Sequence, residues 1–300
     1  MSFKKNLLLA IAIVFLSSSV WFYNKVEESN KIPHNIAYVH ALQSFILATQ
    51  KTRGLTNSYR HGNISALLLV YGEREQIANS VAIMHKLNKN DILNSEIVRQ
   101  QEALAKKAIL IHSTALKEEP MNVFKNYTSL INDSIVLSNE HEKVISSLDP
   151  HYHSISYLYF PLIEAIAKLR GLGSGSAAKK ICSDDEATKL TTFIQEIQKL
   201  RTKIPLTPQS KYFLETVEDY TTLATRQIIK KSSLNIDPDV YFDQGTAVIT
   251  AITTYTDTLQ KKQNDLALDT YKKALYTTWI LFLFSIISLI LYLRVYKKRL

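Results

Sequence analysis

Apolar side chains recur every three or four residues through most of this chain, which is the period of one face of an α-helix. Only seven glycines and seven prolines occur among 300 residues, and they fall mostly where an apolar stripe ends. These residues interrupt regular structure, so their positions mark the ends of helices. The pattern predicts an all-α protein.

Two sets of four helices are predicted between the two ends of the chain. The first helix should run from about His34 to Arg60, the third from about Ile92 to Leu116, and the breaks lie at 61–63, 88–91, 118–120 and 148–150. The second set should open with a helix over about 154–180, and breaks at 205–208 and 235–238 separate the rest. Pro161 predicts a late start or a kink in that opening helix. Ser183 and Asp184 are candidate N-caps for the next one. Such short connections are typical of antiparallel bundle neighbours.

Two uncharged hydrophobic segments, residues 6–24 and 274–293, flank this helical region. Each is about as long as a bilayer-spanning helix needs to be. The first also resembles a signal peptide, since Lys4 and Lys5 precede it and three serines lie within it. We expect an uncleaved anchor, because Trp21, Phe22 and Tyr23 are typical of an interfacial aromatic belt and make a poor cleavage site. The last helix shows no breaker from Asp239 through the second segment, and it would then join the domain to the membrane.

The basic excess of the chain belongs to its two ends. The formal net charge is +9, and the two ends, residues 1–25 and 272–300, hold nine of the 36 Lys and Arg and none of the 27 Asp and Glu. A neutral middle argues against nucleic acid as a partner, because nucleic-acid binding needs a basic face on the folded domain. The lipid bilayer explains the distribution better. The outer flanks carry more Lys and Arg than the inner ones, which predicts a cytoplasmic N-terminus (1–5), a cytoplasmic tail (294–300) and an external domain (26–271), which would be periplasmic in a bacterial inner membrane.

A short segment occurs twice at an offset of 117 residues. Lys51-Thr52-Arg53-Gly54-Leu55 matches Lys168-Leu169-Arg170-Gly171-Leu172, and Ile46 and Ala48 fall on Ile163 and Ala165. Repetition at a fixed offset indicates one structural unit used twice.

Each arginine continues the apolar stripe of its helix. Arg53 follows Val39, Leu42, Ile46 and Thr49, and Arg170 follows Tyr159, Ile163 and Ile166. Both guanidinium groups should therefore point into the protein, where a cation needs a carboxylate, carbonyls, water or a bound anion. A structural ion pair and an anion site remain alternatives at this point.

The chain resembles the nitrate- and nitrite-sensing domain family, which comprises all-helical sensor regions of bacterial receptors, chemotaxis transducers and a transcription antiterminator. The resemblance rests on residues 50–55, on residues 163–175, and on Tyr241, Phe242, Thr246 and Ile249 at the start of the last helix. It covers most of residues 34–270, and the Arg-Gly-Leu segments are its distinctive part. It implies two stacked four-helix bundles, here 34–148 and 154–271, with nitrate or nitrite near Arg53 and Arg170.

Planar oxyanions suit such a site, because the fork of a guanidinium matches them bidentately. Gly54 and Gly171 would then allow the anion or a neighbouring helix to approach closely. Relatives typically continue into a signalling module, whereas seven residues follow the second hydrophobic segment here. We therefore expect output through a homodimer or through a partner membrane signalling protein.

Other candidate chemistry is weaker. His151 and His153 flank Tyr152 in a loop without a third metal ligand, and Ser174 between two glycines has no strand before it, so it is not a nucleophile elbow. The glycines at 171, 173 and 175 are more typical of an interrupted helix than of an anion cradle. We expect no cofactor, no metal and no enzymatic activity. The single Cys182 fits an envelope domain without an internal disulfide, and it could pair between chains.

Two functions remain open on the sequence. The first is a membrane-anchored sensor that binds a small oxyanion between Arg53 and Arg170 and relays binding through the last helix. The second is an envelope adaptor with no small ligand, in which both arginines are ion-paired. A carboxylate such as Glu164 or Glu196 within reach of Arg170 would favour the adaptor, and arginines without an ion-pair partner, facing one polar cavity, would favour the sensor.

Overall fold

The structure, a computed structural model, describes residues 2–88, 95–149, 152–231 and 233–297. In these residues the chain is all-α and has no strands, as predicted. The first four helices are α1 (Ser2–Arg60), α2 (Ala66–Asn88), α3 (Ser95–Thr114) and α4 (Pro120–Leu148). The second four are α5 (Ser156–Lys179), α6 (Asp184–Arg201), α7 (Pro208–Ala224) and α8 (Pro238–Lys297), with a π-helical turn at Thr225–Ile229 after α7.

Local signals explain several helix ends. Ser183 accepts a hydrogen bond from the Glu186 backbone N–H while the Glu186 side chain bonds back, so the predicted N-cap of α6 is a capping box. Thr207 and Ser210 form the same arrangement at the start of α7. The carboxylate of Glu142 on α4 accepts hydrogen bonds from the backbone N–H groups of Ile155 and Ser156 at the start of α5.

Two boundaries differ from the expectations. Residues 26–33 are helical, and Pro33 lies inside α1, because this segment is rich in helix-compatible polar residues and has no glycine. Pro161 lies five residues into α5, and the glycines from 171 to 175 continue the helix where an interruption was expected. The predicted turn at 88–91 and the start of the third helix at Ile92 fall largely outside the described residues.

The chain divides into two compact units. The larger one comprises the described residues within 35–147 and 152–260, and these residues form two large hydrophobic cores and a small cluster of Leu55, Ala66, Val70 and Phe242. One core is built mainly from α1 to α4, and the other from α5 to α8 with Ile46 of α1 and three side chains of α4. The two sets of helices are therefore joined by shared apolar contacts within one unit.

The smaller unit contains the chain ends, residues 2–34 and 261–297, with Leu148 and Asp149. Within it Phe15 stacks on Phe284 at 5.6 Å between ring centroids, and Ser285 Oγ donates to the Ala12 carbonyl at 3.3 Å. Most of its large apolar side chains are exposed. By length and composition, α1 and α8 could each cross a membrane, which is compatible with a two-pass membrane protein.

Candidate functional site

Both predicted arginines point into the larger unit. Arg53 and Arg170 are each 1% exposed, and the apolar residues of their stripes are buried as well. The helical period therefore located both side chains correctly.

Arg53 is held by a carboxylate. Its Nη1 and Nη2 atoms donate to the two oxygens of Glu164 on α5 at 2.5 and 3.1 Å, and Nη1 also donates to Thr128 Oγ1 at 2.8 Å. The guanidinium lies over the ring of Phe124, 4.8 Å from its centroid. Gln50 Nε2 donates to the same carboxylate at 2.9 Å. Arg53 and Glu164 thus form a buried, bidentate ion pair.

Arg170, like Arg53, contacts one threonine and one phenylalanine, but it has no carboxylate partner among the described residues. Its Nη1 donates to Thr246 Oγ1 at 2.9 Å, and its guanidinium lies 4.4 Å from the ring centroid of Phe242. Among the described residues, none accepts a hydrogen bond from Nε or Nη2 of Arg170. These two N–H groups point the same way from the planar guanidinium and form a bidentate edge. Glu196, expected as a possible partner, lies 3.6 Å from Lys168 instead.

Burial sets the electrostatics of Arg170. Desolvation, together with the positive charge of nearby Arg53, lowers the pKa of Arg170 to about 10, and Tyr220, Glu73 and Glu164 oppose the shift. The guanidinium is still protonated at neutral pH. It is a buried cation without an ion pair in the described part of the chain, which is a costly arrangement unless an anion joins it.

A cavity of about 250 Å³ opens beside Arg170. It is lined by side chains from α1, α2, α5 and α8: Ser44, Leu47, Ala48, Gln50, Lys51, Glu73, Gln76, Arg170, Thr246, Ile249, Thr250 and Thr253. Lys51 and Glu73 pair across it at 3.2 Å and are partly exposed. Together with Arg170 they give the cavity walls a net charge of +1. Gln50 adds a buried amide oxygen that has no hydrogen-bond partner within the described part of the chain.

The two predicted glycines lie against each other rather than on the cavity wall. A Cβ on Gly54 would lie 3.1 Å from the Gly171 Cα and 2.7 Å from the Phe242 ring, and a Cβ on Gly171 would lie 3.2 Å from the Phe124 ring. The glycines therefore let α1 and α5 cross in backbone contact. Of the two uses expected for them, the structure shows the close approach of a neighbouring helix.

The sequence pattern located the arginines but not their partners. Glu164 binds Arg53, whereas it had been considered as a partner of Arg170. Phe124, Thr128, Phe242 and Thr246 were not recognised as a set, although two Phe-x-x-x-Thr segments at an offset of 118 residues were available to find them. Gly173 and Gly175 make room for Tyr241 and Asn57 inside the helical core.

The structure gives no support to the weaker candidates within the residues that it describes. His151 lies outside the described residues, so the His151 and His153 pair stays a prediction. Ser174 Oγ donates to the Gly171 carbonyl at 3.2 Å within α5. The described residues contain no group of three His, Cys, Asp or Glu placed to hold a metal ion. The expectations of no cofactor and no enzymatic activity remain predictions.

Comparison with known proteins supports the fold. No family model and no curated protein matches the sequence. Among solved structures, the NasR transcription antiterminator is similar, with a TM-score of 0.66 over 91% of this chain and 82% of that one, at 10% sequence identity. This chain shares an all-helical fold with that protein.

Proposed function

We propose that this protein is a membrane-anchored sensor that binds nitrate or nitrite at Arg170. The observation that carries the proposal is the bidentate edge of this buried guanidinium, which has no acceptor among the described residues and belongs to a side chain that lines a cavity. A planar oxyanion accepts from Nε–H and Nη2–H together and neutralises the charge at the same time.

The charges of the cavity favour a monoanion. Arg170 and Lys51 are positive and Glu73 is negative, so one negative charge balances the walls. A divalent anion such as sulfate would leave a net negative charge in a partly enclosed space, which costs free energy in a medium of low polarity. Nitrate and nitrite fit this requirement, and both are planar.

The resemblance to nitrate- and nitrite-sensing domains supports the same ligand class. It rests on the two Arg-Gly-Leu segments. That family includes a transcription antiterminator, and the similar solved structure is also one. In the present proposal the arginines have unequal roles. Arg170 contacts the anion, whereas both Nη groups of Arg53 donate to the Glu164 carboxylate.

Signal output would pass through α8. Thr246, which accepts from Arg170, belongs to this helix, and the same helix contains the hydrophobic segment 274–293. We propose that both termini are cytoplasmic, that the domain is external or periplasmic, and that output occurs through a homodimer or a partner membrane protein. An anion that draws Arg170 away from Thr246 would alter the contact between α5 and α8.

Calorimetric titration of the full chain in lipid nanodiscs with nitrate and nitrite tests the proposal, with chloride and sulfate as controls at constant ionic strength. We expect saturable nitrate binding that Arg170→Ala weakens by about 100-fold, because truncating a buried hydrogen-bonded charge costs about 2–5 kcal/mol. Arg201→Ala is the matched control, since Arg201 pairs with Glu218 on the surface. Unchanged nitrate binding in folded Arg170→Ala would refute the site.

The adaptor function remains the second candidate because of one observation. The ion pair between Arg53 and Glu164 shows that an inward arginine of this fold can be satisfied internally. A folded chain that binds none of the four anions would support an adaptor, and crosslinking in cells would then identify its protein partner.

A further inference from the structure

The two halves of the larger unit repeat one contact pattern around their arginines. Arg53 lies over Phe124 and donates to Thr128, four residues later on α4. Arg170 lies over Phe242 and donates to Thr246, four residues later on α8. The repeat detected in the sequence is therefore also a repeat of side-chain geometry.

The surroundings of the two arginines repeat as well. Lys51 pairs with Glu73 at the cavity beside Arg170. Its counterpart Lys168 pairs with Glu196 and lines a cavity of about 560 Å³ that also contains Phe124 and Thr128, the two neighbours of Arg53. Each cavity is thus lined by the lysine of one repeated segment, and each of these lysines pairs with a glutamate.

One position breaks the repeat. At the 117-residue offset, Glu164 falls on Leu47. Glu164 extends from α5 of the second half to Arg53 of the first, and Leu47 extends from α1 of the first half to the cavity of Arg170. A carboxylate therefore binds one arginine, and an aliphatic side chain lines the cavity at the other.

A carboxylate and a nitrate ion are similar as ligands of a guanidinium. Both are planar, carry one negative charge and offer two oxygens to a pair of N–H groups. The Arg53 Nη1 and Nη2 atoms lie 2.5 and 3.1 Å from the two Glu164 oxygens, so this carboxylate is bound in the same bidentate way. The Glu164 carboxylate also accepts a hydrogen bond from Gln50 Nε2 at 2.9 Å.

We infer that Arg53 is a second anion site, closed by Glu164 as a built-in ligand, and that Leu47 keeps the matching site at Arg170 open. The part that concerns Leu47 rests on the proposed function, whereas the part that concerns Glu164 does not. The ligand class of both sites is a small planar monoanion, such as nitrate or formate.

Removal of the built-in carboxylate tests the closed site. Glu164→Ala leaves Arg53 without its anion and leaves space where the carboxylate was. In the full chain in nanodiscs at constant ionic strength, we expect this variant to melt at a lower temperature than the wild type. Nitrate and formate should raise its melting temperature more than they raise that of the wild type, and calorimetry should show one additional nitrate per chain.

The control removes the cation as well. Arg53→Leu combined with Glu164→Ala should gain no additional nitrate and no extra rise in melting temperature. If Glu164→Ala folds only when nitrate or formate is present, that rescue supports the closed site. If neither anion restores its fold, or if the folded variant binds as many nitrate ions as the wild type, the closed site is refuted.

The matching substitution tests the open site. Leu47→Glu should bring a carboxylate to Arg170 and weaken nitrate binding by at least about 10-fold, while the uncharged control Leu47→Gln should retain it. Unchanged binding by Leu47→Glu would refute the role of Leu47. A wild type that binds no nitrate would refute the proposed function alone, because rescue of Glu164→Ala would still establish the site at Arg53.

Discussion

Gly54 and Gly171 lie in backbone contact where α1 crosses α5, with only 3.0 Å between the Gly54 Cα and the position of a Cβ on Gly171. The rings of Phe242 and Phe124 cover the same crossing from either half. The guanidinium groups of Arg170 and Arg53 lie over these same two rings. The crossing therefore fixes the positions of both arginines.

Added methyl groups at the crossing should destabilise the protein. Gly54→Ala and Gly171→Ala would each force backbone or a buried ring to move, and we expect a loss of about 1–3 kcal/mol in the free energy of unfolding. Gly72→Ala is the control, because a Cβ there meets nothing within 4 Å in the described residues. In α2 it should stabilise by about 0.5–1 kcal/mol. Denaturant unfolding measures all three, and equal effects at the three glycines would contradict the crossing.

The two arginines should respond oppositely to an apolar substitution in the absence of added anion. Arg53→Met leaves the buried Glu164 carboxylate without its cation and should cost about 3–5 kcal/mol. Arg170→Met removes a buried charge that has no ion pair among the described residues, and it should stabilise by about 1 kcal/mol. Thermal unfolding in a buffer of large, weakly binding anions compares them. Equal destabilisation would mean that both arginines are paired.

Neutralising Glu142 should loosen the start of α5. This buried carboxylate accepts from the Tyr152 hydroxyl at 3.0 Å and from the backbone N–H groups of Ile155 and Ser156. Glu142→Gln keeps the shape and loses one acceptor oxygen and the charge, so we expect a loss of about 1.5–3 kcal/mol. Glu215→Gln on the exposed face of α7 should change stability by less than about 0.5 kcal/mol. Hydrogen exchange at Ile155 and Ser156 should rise in the first variant only.

Acid should destabilise the larger unit through His141. This ring stacks on Tyr38 at 4.1 Å between centroids, and burial lowers the pKa of His141 to about 4. The unfolded chain binds a proton near pH 6.5 and the folded chain does not, so stability is complete above pH 6.5 and falls as the pH drops towards 4. His141→Phe should remove up to about 3 kcal/mol of this pH dependence. His85→Phe, at an exposed position, is the control substitution.

The proposed topology predicts which residues a membrane-impermeant maleimide can reach in intact cells. In a Cys182→Ser background, Thr191→Cys on the exposed side of α6 should be labelled before lysis. A cysteine appended to the C-terminus should be labelled only after lysis. The reverse pattern would place the domain in the cytoplasm.

Periodicity was sufficient to predict the helices and the inward direction of both arginines, because burial of an apolar stripe determines both. It could not predict the partner of Arg53. Glu164 lies 111 residues away in sequence, and its pairing depends on the side on which α5 crosses α1. The sequence also did not predict that α1 continues through Pro33. Proline normally interrupts a helix, but this long helix accommodates one.

The pair of Lys51 and Glu73 at the cavity should not slow the exchange of an anion. These side chains are 39% and 20% exposed, so their interaction is worth at most about 1 kcal/mol and is weakened by salt. Breaking such a pair takes far less time than releasing an anion from a buried guanidinium. Dissociation from Arg170 would therefore limit the response, and occupancy would follow the external anion concentration without a delay at the entrance.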